Sequence, residues 1–238
     1  MFTVEEQLVS ELSTQPALAP IHVDGALPPA RFNIGPTQPV VALARGENPD
    51  GSPMSGTVAA AVRWGLVPHW AKSMPKTPYF NARAETWREK PVFRDARPCV
   101  IPMNGWYEWK NKQPYFVSFA PGALSTTEAA LALPEAADMA ALADAPLVNV
   151  AGLWARCGNL VSCTIVTTDA VGHLSELHHR MPRVLADAEL EAWLDHTDWA
   201  HSGEVGLTDP SVVEKLQLRA ANKSVGNIAN EGSWLLTP

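Results

Sequence analysis

Polar residues are threaded through an apolar and aromatic background, among them Asn81 and Arg83 in NARAET and Glu108 in CVIPMNGWYEWK, with His178 further on in HHRMP. A glutamate set between indoles loses water from its charged form, which is expected to raise its pKa and keep a proton at hand near neutral pH. That suits a general acid or base. The plainer alternative is a strand glutamate that faces solvent and pairs with Lys110 or Lys112. Pro182 restricts Met181, so His178 and His179 are expected on a rigid turn, where an imidazole can move protons near pH 7. A solvent-facing histidine pair is the alternative there.

Around these residues lies a block of unusual composition. Trp64, Trp70, Trp87, Trp106 and Trp109 fall between Val62 and Trp109, threaded with Arg63, Lys72 and Arg83. From Ala60 to Lys112 there are ten Lys and Arg against four Asp and Glu, a local charge of +6 inside a chain of net charge −7. A basic, tryptophan-rich stretch in an acidic protein is what a phosphate-tracking, base-stacking surface needs. Scattering of the same charges over several faces is the competing expectation.

The elements that must position these groups are read from periodicity and turn residues. Residues 3–15 form a helix with Thr3 and Glu6 in capping-box positions and Leu8 and Leu12 on one face. Residues 16–30 are a Pro- and Ala-rich loop. A turn at Gly35-Pro36 leads into a strand through Val40, Val41 and Leu43, and Val58 to Leu66 forms another. Residues 67–80 are an irregular surface loop. NARAETWREK reads as a helical turn or short helix with Glu85 and Glu89 spaced i,i+4. CVIPMNGWYEW reads as two strands broken at Pro102 and Asn104-Gly105. Alternation then puts Trp106 and Glu108 on one face, Tyr107 and Trp109 on the other. Strands at Pro114–Phe119, Val148–Ala155 and Leu160–Thr167 follow, the last two joined by a hairpin turn. Thr168 to Leu177 is a helix or loop. A helix from Asp187 turns Leu190, Trp193 and Leu194 inward, and a short strand spans Val213–Leu218. Residues 120–146, rich in Ala and acids, are expected to be an insertion in a single domain spanning residues 1–238. The pattern implies a β-dominated α+β fold.

Several classes of function are excluded by motif. The chain has no phosphate-binding loop, dinucleotide-binding fingerprint, HExxH or GxSxG. Cys99, Cys157 and Cys163 include no CxxC pair and fit reduced cytosolic thiols. Cys157, Cys163, His178 and His179 lack zinc-site spacing, so neither metal nor cofactor is expected. No run of about 18 apolar residues implies a membrane span, and the acidic start MFTVEEQLVSEL has no secretory character.

Six segments occur in the order and rough spacing of one family: RFNIGPTQ, RWGLVPHWAK, FNARAET, CVIPMNGWYEWK, HHRMP and VGNIANEG. Together they resemble the SRAP family, the SOS-response-associated peptidase-like, abasic-site processing proteins, over about Arg31 to Gly232. The resemblance implies a twisted antiparallel barrel or sheet with flanking helices. It implies recognition of abasic sites in single-stranded DNA, a covalent DNA–protein crosslink, and a place in the DNA damage response. It assigns catalytic roles to Asn81, Glu108 and His178 and a phosphate grip to Arg83, and it places Pro36 and Trp70 where the DNA is wedged. Trp64, Trp106, Lys72 and Arg180 complete the expected DNA-binding set. A cytoplasmic monomer, nucleoid-associated when bound to DNA, is expected, with no membrane partner.

One departure accompanies these matches. The family's Met-Cys-Gly-Arg-Phe start, whose freed cysteine traps the sugar aldehyde, does not precede FTVEEQL here. The three cysteines present cannot replace an N-terminal aminothiol. Retention of Asn81, Glu108 and His178 favours a chain that begins at a downstream methionine over one that has lost its nucleophile. Two other readings stand beside this one: a non-covalent single-strand-binding module, and a hydrolase or peptidase using Glu108 and His178.

Overall fold

Apolar residues alternate along the middle strands, and the strands are covered on both faces. In the computed structural model, which describes residues 4–47, 54–120, 146–195, 206 and 208–238, Cys99 and Ile101 of β5 (Arg97–Met103) enter one core while Val100 enters another. The same period-2 division sends Val148 and Val150 of β8 (Val148–Cys157) to one side and Ala151, Leu153 and Ala155 to the other. The core that Val100 enters, here the first core, is closed by the helix α1 (Val4–Leu12), Trp87, Phe93, and Leu190, Trp193 and Leu194 of α2 (Leu190–Leu194), and the core of Cys99 and Ile101 is the second. The Trp193 indole N–H donates to the Cys99 carbonyl at 2.9 Å, which satisfies its polar atom inside that core. The expected inner face of this helix is therefore the buried one. Thr3 of the expected capping box and nearly all of the expected insertion at 120–146 lie outside the described residues.

The ladder runs β3–β2–β5–β8–β9 in antiparallel pairs, with β2 at Pro39–Ala44, β3 at Thr57–Trp64 and β9 at Leu160–Asp169. It closes on itself through a short parallel contact, Arg63 with Ser162 and Trp64 with Cys163. The fold is thus a strand-dominated α+β barrel, as expected, but its closure is parallel. β9 is its hub. Ile165 pairs with Gly152 of β8 on one edge and Asn81 of β4 (Asn81–Arg83) on the other; Thr167 lies between Arg83 and Pro182 of β10 (Arg180–Pro182). β4 and β10 thus occupy opposite edges of β9.

Two of these pairings correct the sequence reading. NARAETWREK is not helical at its start: Asn81–Arg83 is a strand, and only Trp87–Glu89 forms a short 3-10 turn. The free edge of β9 overrides local helix preference. The Pro- and Ala-rich stretch at 16–30 likewise contains β1 (Ile21–Asp24), which runs parallel to β3.

A second, smaller sheet carries β11 (Leu216–Ala220), β7 (Gln113–Phe119) and β6 (Trp106–Lys110) in that order. Leu216–Ala220 extends past the strand expected at Val213–Leu218, because Pro210–Val213 is a helical turn, α3. β5 and β6 do not form a hairpin across Asn104-Gly105, and Pro102 lies inside β5; the bend instead carries the chain from the large sheet to the small one. A Cβ on Gly105 would stand 2.2 Å from the Val117 carbonyl oxygen, so only glycine permits this approach. The actual hairpin turn lies between β6 and β7 at Asn111 and Lys112, with φ of 52° and 64°, the paired positive values of a tight two-residue turn.

Candidate active site

Alternation along β6 sets the site. Trp106 packs into the second core, and Tyr107 on the opposite face packs on Phe116. Glu108 shares the Trp106 face and reaches toward the turn before β10. Its Oε2 lies 3.8 Å from Nδ1 of His178, and its Oε1 accepts from the Trp109 backbone N–H at 3.1 Å. The carboxylate is 24 % exposed and the imidazole 38 %, so both remain open to a substrate. At 3.8 Å the pair make no direct hydrogen bond, and they attract through charge only when the imidazole carries a second proton.

His178 is held from its other side by its own turn. Nδ1 lies 3.2 Å from the Arg180 N–H and 3.0 Å from the Arg180 carbonyl. One nitrogen cannot serve both in one protonation state: neutral and unprotonated, Nδ1 accepts from the N–H; protonated, it donates to the carbonyl. The His179 ring leans on His178 with centroids 4.3 Å apart.

Arg180 was expected to meet DNA, but its guanidinium is engaged within the protein. It forms a fork on Glu85 at 2.8 and 3.0 Å, bonds Asp169 at 2.7 Å, and donates to the Thr167 carbonyl at 2.5 Å. Its side chain is 14 % exposed. Burial works to lower the Arg180 pKa, but the two carboxylates outweigh it and hold the pKa above its ordinary value. For Glu85, burial works to raise the pKa; the Arg180 bonds, a backbone N–H and the charges of Arg180 and Arg83 outweigh it and bring it below the usual range.

Asn81 and Arg83 are both exposed on β4, flanking buried Ala82. Among the described residues no hydrogen bond joins Asn81 to Glu108 or His178. The link between Asn81 and the Pro36 turn runs through Trp64. The Trp64 indole donates to the Phe80 carbonyl at 2.9 Å, one residue before Asn81, and the Trp64 carbonyl accepts from the Thr37 N–H. Thr37 has φ of 79° in the Gly35–Gln38 turn, behind Pro36, a conformation that costs a β-branched residue free energy.

The aromatic residues separate by burial. Trp64 and Trp106 are half-buried and pack against the second core, whereas Trp70 is 55 % exposed and Lys72 beside it is exposed. Tyr79 and Phe80 are also open at the surface, and Phe80 meets Trp64 edge to face at 6.2 Å. Phe80 was not singled out in the sequence; an aromatic directly before Asn81 was the available signal. Part of the local positive charge is already engaged. Arg97 pairs with Glu47 at 2.8 Å, Arg63 donates to the Gly65 carbonyl at 2.8 Å, and Arg88 stacks on Trp87.

The tail braces the start of this surface. Asn33, 4 % exposed, donates to the carbonyls of Val225, Asn227 and Asn230 at 3.2, 3.0 and 3.2 Å. Glu231 accepts from the Phe32 N–H and from Arg31, and the Tyr107 hydroxyl donates to the Phe32 carbonyl at 2.9 Å. Burial, then the nearby Glu231 charge, pushes the Tyr107 phenol up to about 12. A Cβ on Gly35 would sit 2.6 Å from Ile228 Cγ2, which shows how closely RFNIG and VGNIANEG pack.

Cys99 and Cys163 are fully buried; burial raises both thiols, Cys163 to about 12, so neither offers a thiolate. Cys157 is partly exposed, and its Sγ lies 3.4 Å from the Ala71 carbonyl, to which the thiol donates. Among the described residues no three His, Cys, Asp or Glu side chains gather as metal ligands, and no helix is long and apolar enough to cross a membrane. A cleft of about 440 Å³ containing Arg45, Glu191 and Asp195 shares no residue with this site; Arg45 there is bound to Asp195 at 2.5 Å.

Known proteins share both sequence and fold with this chain. Abasic site processing protein YoaM of Bacillus subtilis (strain 168) is 29 % identical over 215 residues, covering 86 % of this chain and 83 % of that protein. Abasic site processing protein HMCES of Pongo abelii is 31 % identical over 217 residues, covering 77 % of this chain and 58 % of that protein. A crystal structure of a protein from Bordetella bronchiseptica superposes with a TM-score of 0.63 at 20 % identity, over 92 % of this chain and 97 % of that one. The family model described as SOS response associated peptidase (SRAP) matches residues 2–228, and the chain belongs to that family.

Proposed function

We propose that this protein processes abasic sites in single-stranded DNA and forms a covalent DNA–protein crosslink during the DNA damage response. The observation that carries this reading is the approach of Glu108, on the small sheet, to His178, in the turn before β10, at 3.8 Å, with both side chains partly open to solvent. An abasic sugar is mostly a closed hemiacetal, and proton transfer by His178 opens it to the aldehyde. A primary amine then adds to the aldehyde carbon. Glu108 delivers a proton to the carbinolamine oxygen, and water leaves as the C=N bond forms. In the family this amine belongs to an N-terminal cysteine, whose sulfur adds to the imine carbon while its proton passes to nitrogen. That closes a thiazolidine with no change of oxidation state. Asn81 orients the amine or a sugar hydroxyl, and Arg83 grips a flanking phosphate. Trp70 and the Pro36 turn part the bases. Lys72 adds charge at the same surface, and Trp64 and Trp106 back it from the core.

Binding as a monomer in the cytoplasm, on the nucleoid when DNA is exposed, fits this chemistry. A peptidase reading has less support: Ser175, the seryl closest in sequence to His178, gives its hydroxyl to the Gly172 carbonyl. Titration of labelled single- and double-stranded oligonucleotides across a salt series tests the binding half. Single strands should bind tighter, and Arg83→Ala should reduce the salt slope by about 0.7, the share of one phosphate contact. Equal affinity for both forms, with an unchanged slope in the variant, would overturn the assignment.

A further inference from the structure

We propose that Glu85 is a positioning residue. Through Arg180 it fixes the tautomer and place of His178, and it ties the His178 turn to the strand that carries Asn81 and Arg83. The inference rests on the reading of His178 as a proton-transfer group. Its geometry is independent of that reading.

β4 and β10 flank β9, about 10 Å apart at twice the usual interstrand spacing. The Arg180 side chain crosses this gap. It leaves β10, donates to the Thr167 carbonyl at the end of β9, bonds Asp169 beside its own strand, and ends in a two-toothed fork on Glu85, two residues beyond Arg83. The fork is planar and directional, so it fixes orientation as well as distance. The consequence for His178 comes through the Arg180 main chain. Its N–H and its carbonyl both address Nδ1, at 3.2 and 3.0 Å. Anchoring the Arg180 side chain therefore anchors the two groups that choose the state of Nδ1. With Arg180 held, its N–H and carbonyl keep fixed places about Nδ1, with Glu108 Oε2 at 3.8 Å, so neutral His178 holds a single tautomer. The two carboxylates also neutralise Arg180, so Arg83 and not Arg180 supplies the local phosphate contact.

The test compares Glu85→Gln with Glu89→Gln, an exposed glutamate of the following turn, in the folded protein of residues 1–238. Ring nitrogen NMR shifts of His178, assigned by loss of the signal in His178→Gln, report the tautomer. We expect widely separated shifts in the parent and in Glu89→Gln, and shifts drawn together in Glu85→Gln as the tautomers exchange. Arg180→Lys, which keeps the charge and loses the fork, should behave as Glu85→Gln does. In protein given a Met-Cys-Gly-Arg start ahead of Phe2, Glu85→Gln should slow crosslinking to abasic DNA about tenfold, with single-strand affinity and its salt slope unchanged. Unaltered His178 shifts in folded Glu85→Gln would overturn the proposal. A salt slope reduced by Arg180→Gln as much as by Arg83→Ala would also overturn it, since that marks a phosphate contact. If the parent fails to crosslink while the shifts respond as expected, the strap stands and the functional reading falls.

Discussion

Asn33→Ala should unfasten the Arg31–Pro36 segment from the Val225–Glu231 segment. Asn33 Nδ2 has two protons and three carbonyl acceptors, of Val225, Asn227 and Asn230, so at most two bonds are at full strength and the third is shared. Truncation strips all three acceptors. Val225 is buried, whereas Asn227 is exposed and Asn230 half-buried, so their carbonyls can turn to water. The cost is then one buried carbonyl left unpaired, about 1–3 kcal/mol, and the net worth of the bonds that water replaces, about 1 kcal/mol, for a total of about 2–4 kcal/mol. Asn33→Asp should cost more, because a carboxylate would face three carbonyl oxygens. Urea unfolding followed by tryptophan fluorescence at pH 7 measures the loss as a lower midpoint. A loss below about 0.5 kcal/mol, the range of ordinary surface substitutions, would show that the tail does not brace the Arg31–Pro36 segment as described.

Two further outcomes follow from the same surface. Tyr107 titrates at about 12 in the fold, against an ordinary tyrosine value near 10. Its contribution is complete below the ordinary value and is lost as pH rises through the folded one, so stability should fall between about pH 10 and 12; Tyr107→Phe should flatten that limb in an alkaline unfolding series. Trp70, 55 % exposed, contributes little to the core, so Trp70→Ala should leave the urea midpoint unchanged while weakening single-strand binding by about 1–3 kcal/mol; an unchanged affinity would remove Trp70 from the DNA surface.

Much of the frame was legible because it follows from local pattern. The alternation that set Trp106 and Glu108 on one face and Tyr107 on the other holds in β6, and Leu190, Trp193 and Leu194 are the buried face of their helix. What was not legible depends on partners far apart in sequence. A three-residue strand such as Asn81–Arg83 has too little periodicity to declare itself, and it is fixed by an open edge of β9 more than eighty residues away in the chain. Glu85 and Glu89 have helix-surface spacing, yet Glu85 bonds Arg180, 95 residues away. Arg180 illustrates the same limit at the site: nothing in HHRMP announces that its guanidinium bonds Glu85 and Asp169. The turn read at Asn104-Gly105 is present between Met103 and Trp106, but that the strands it joins belong to different sheets depends on Gly105 passing the Val117 carbonyl, which local pattern does not announce.

The most direct test of the central claim places Met-Cys-Gly-Arg ahead of Phe2, lets the methionine be removed in the cell, and mixes the product with single-stranded DNA bearing one abasic site. A crosslink that survives heat on a denaturing gel is expected. It should be lost with Asn81→Ala and Glu108→Ala and retained with Cys99→Ser, Cys157→Ser and Cys163→Ser. The polypeptide of residues 1–238 itself should give only a minor adduct trapped by borohydride. A heat-stable crosslink from residues 1–238 would contradict the assigned nucleophile, and a cysteine-bearing form that binds the DNA without crosslinking would contradict the covalent mechanism.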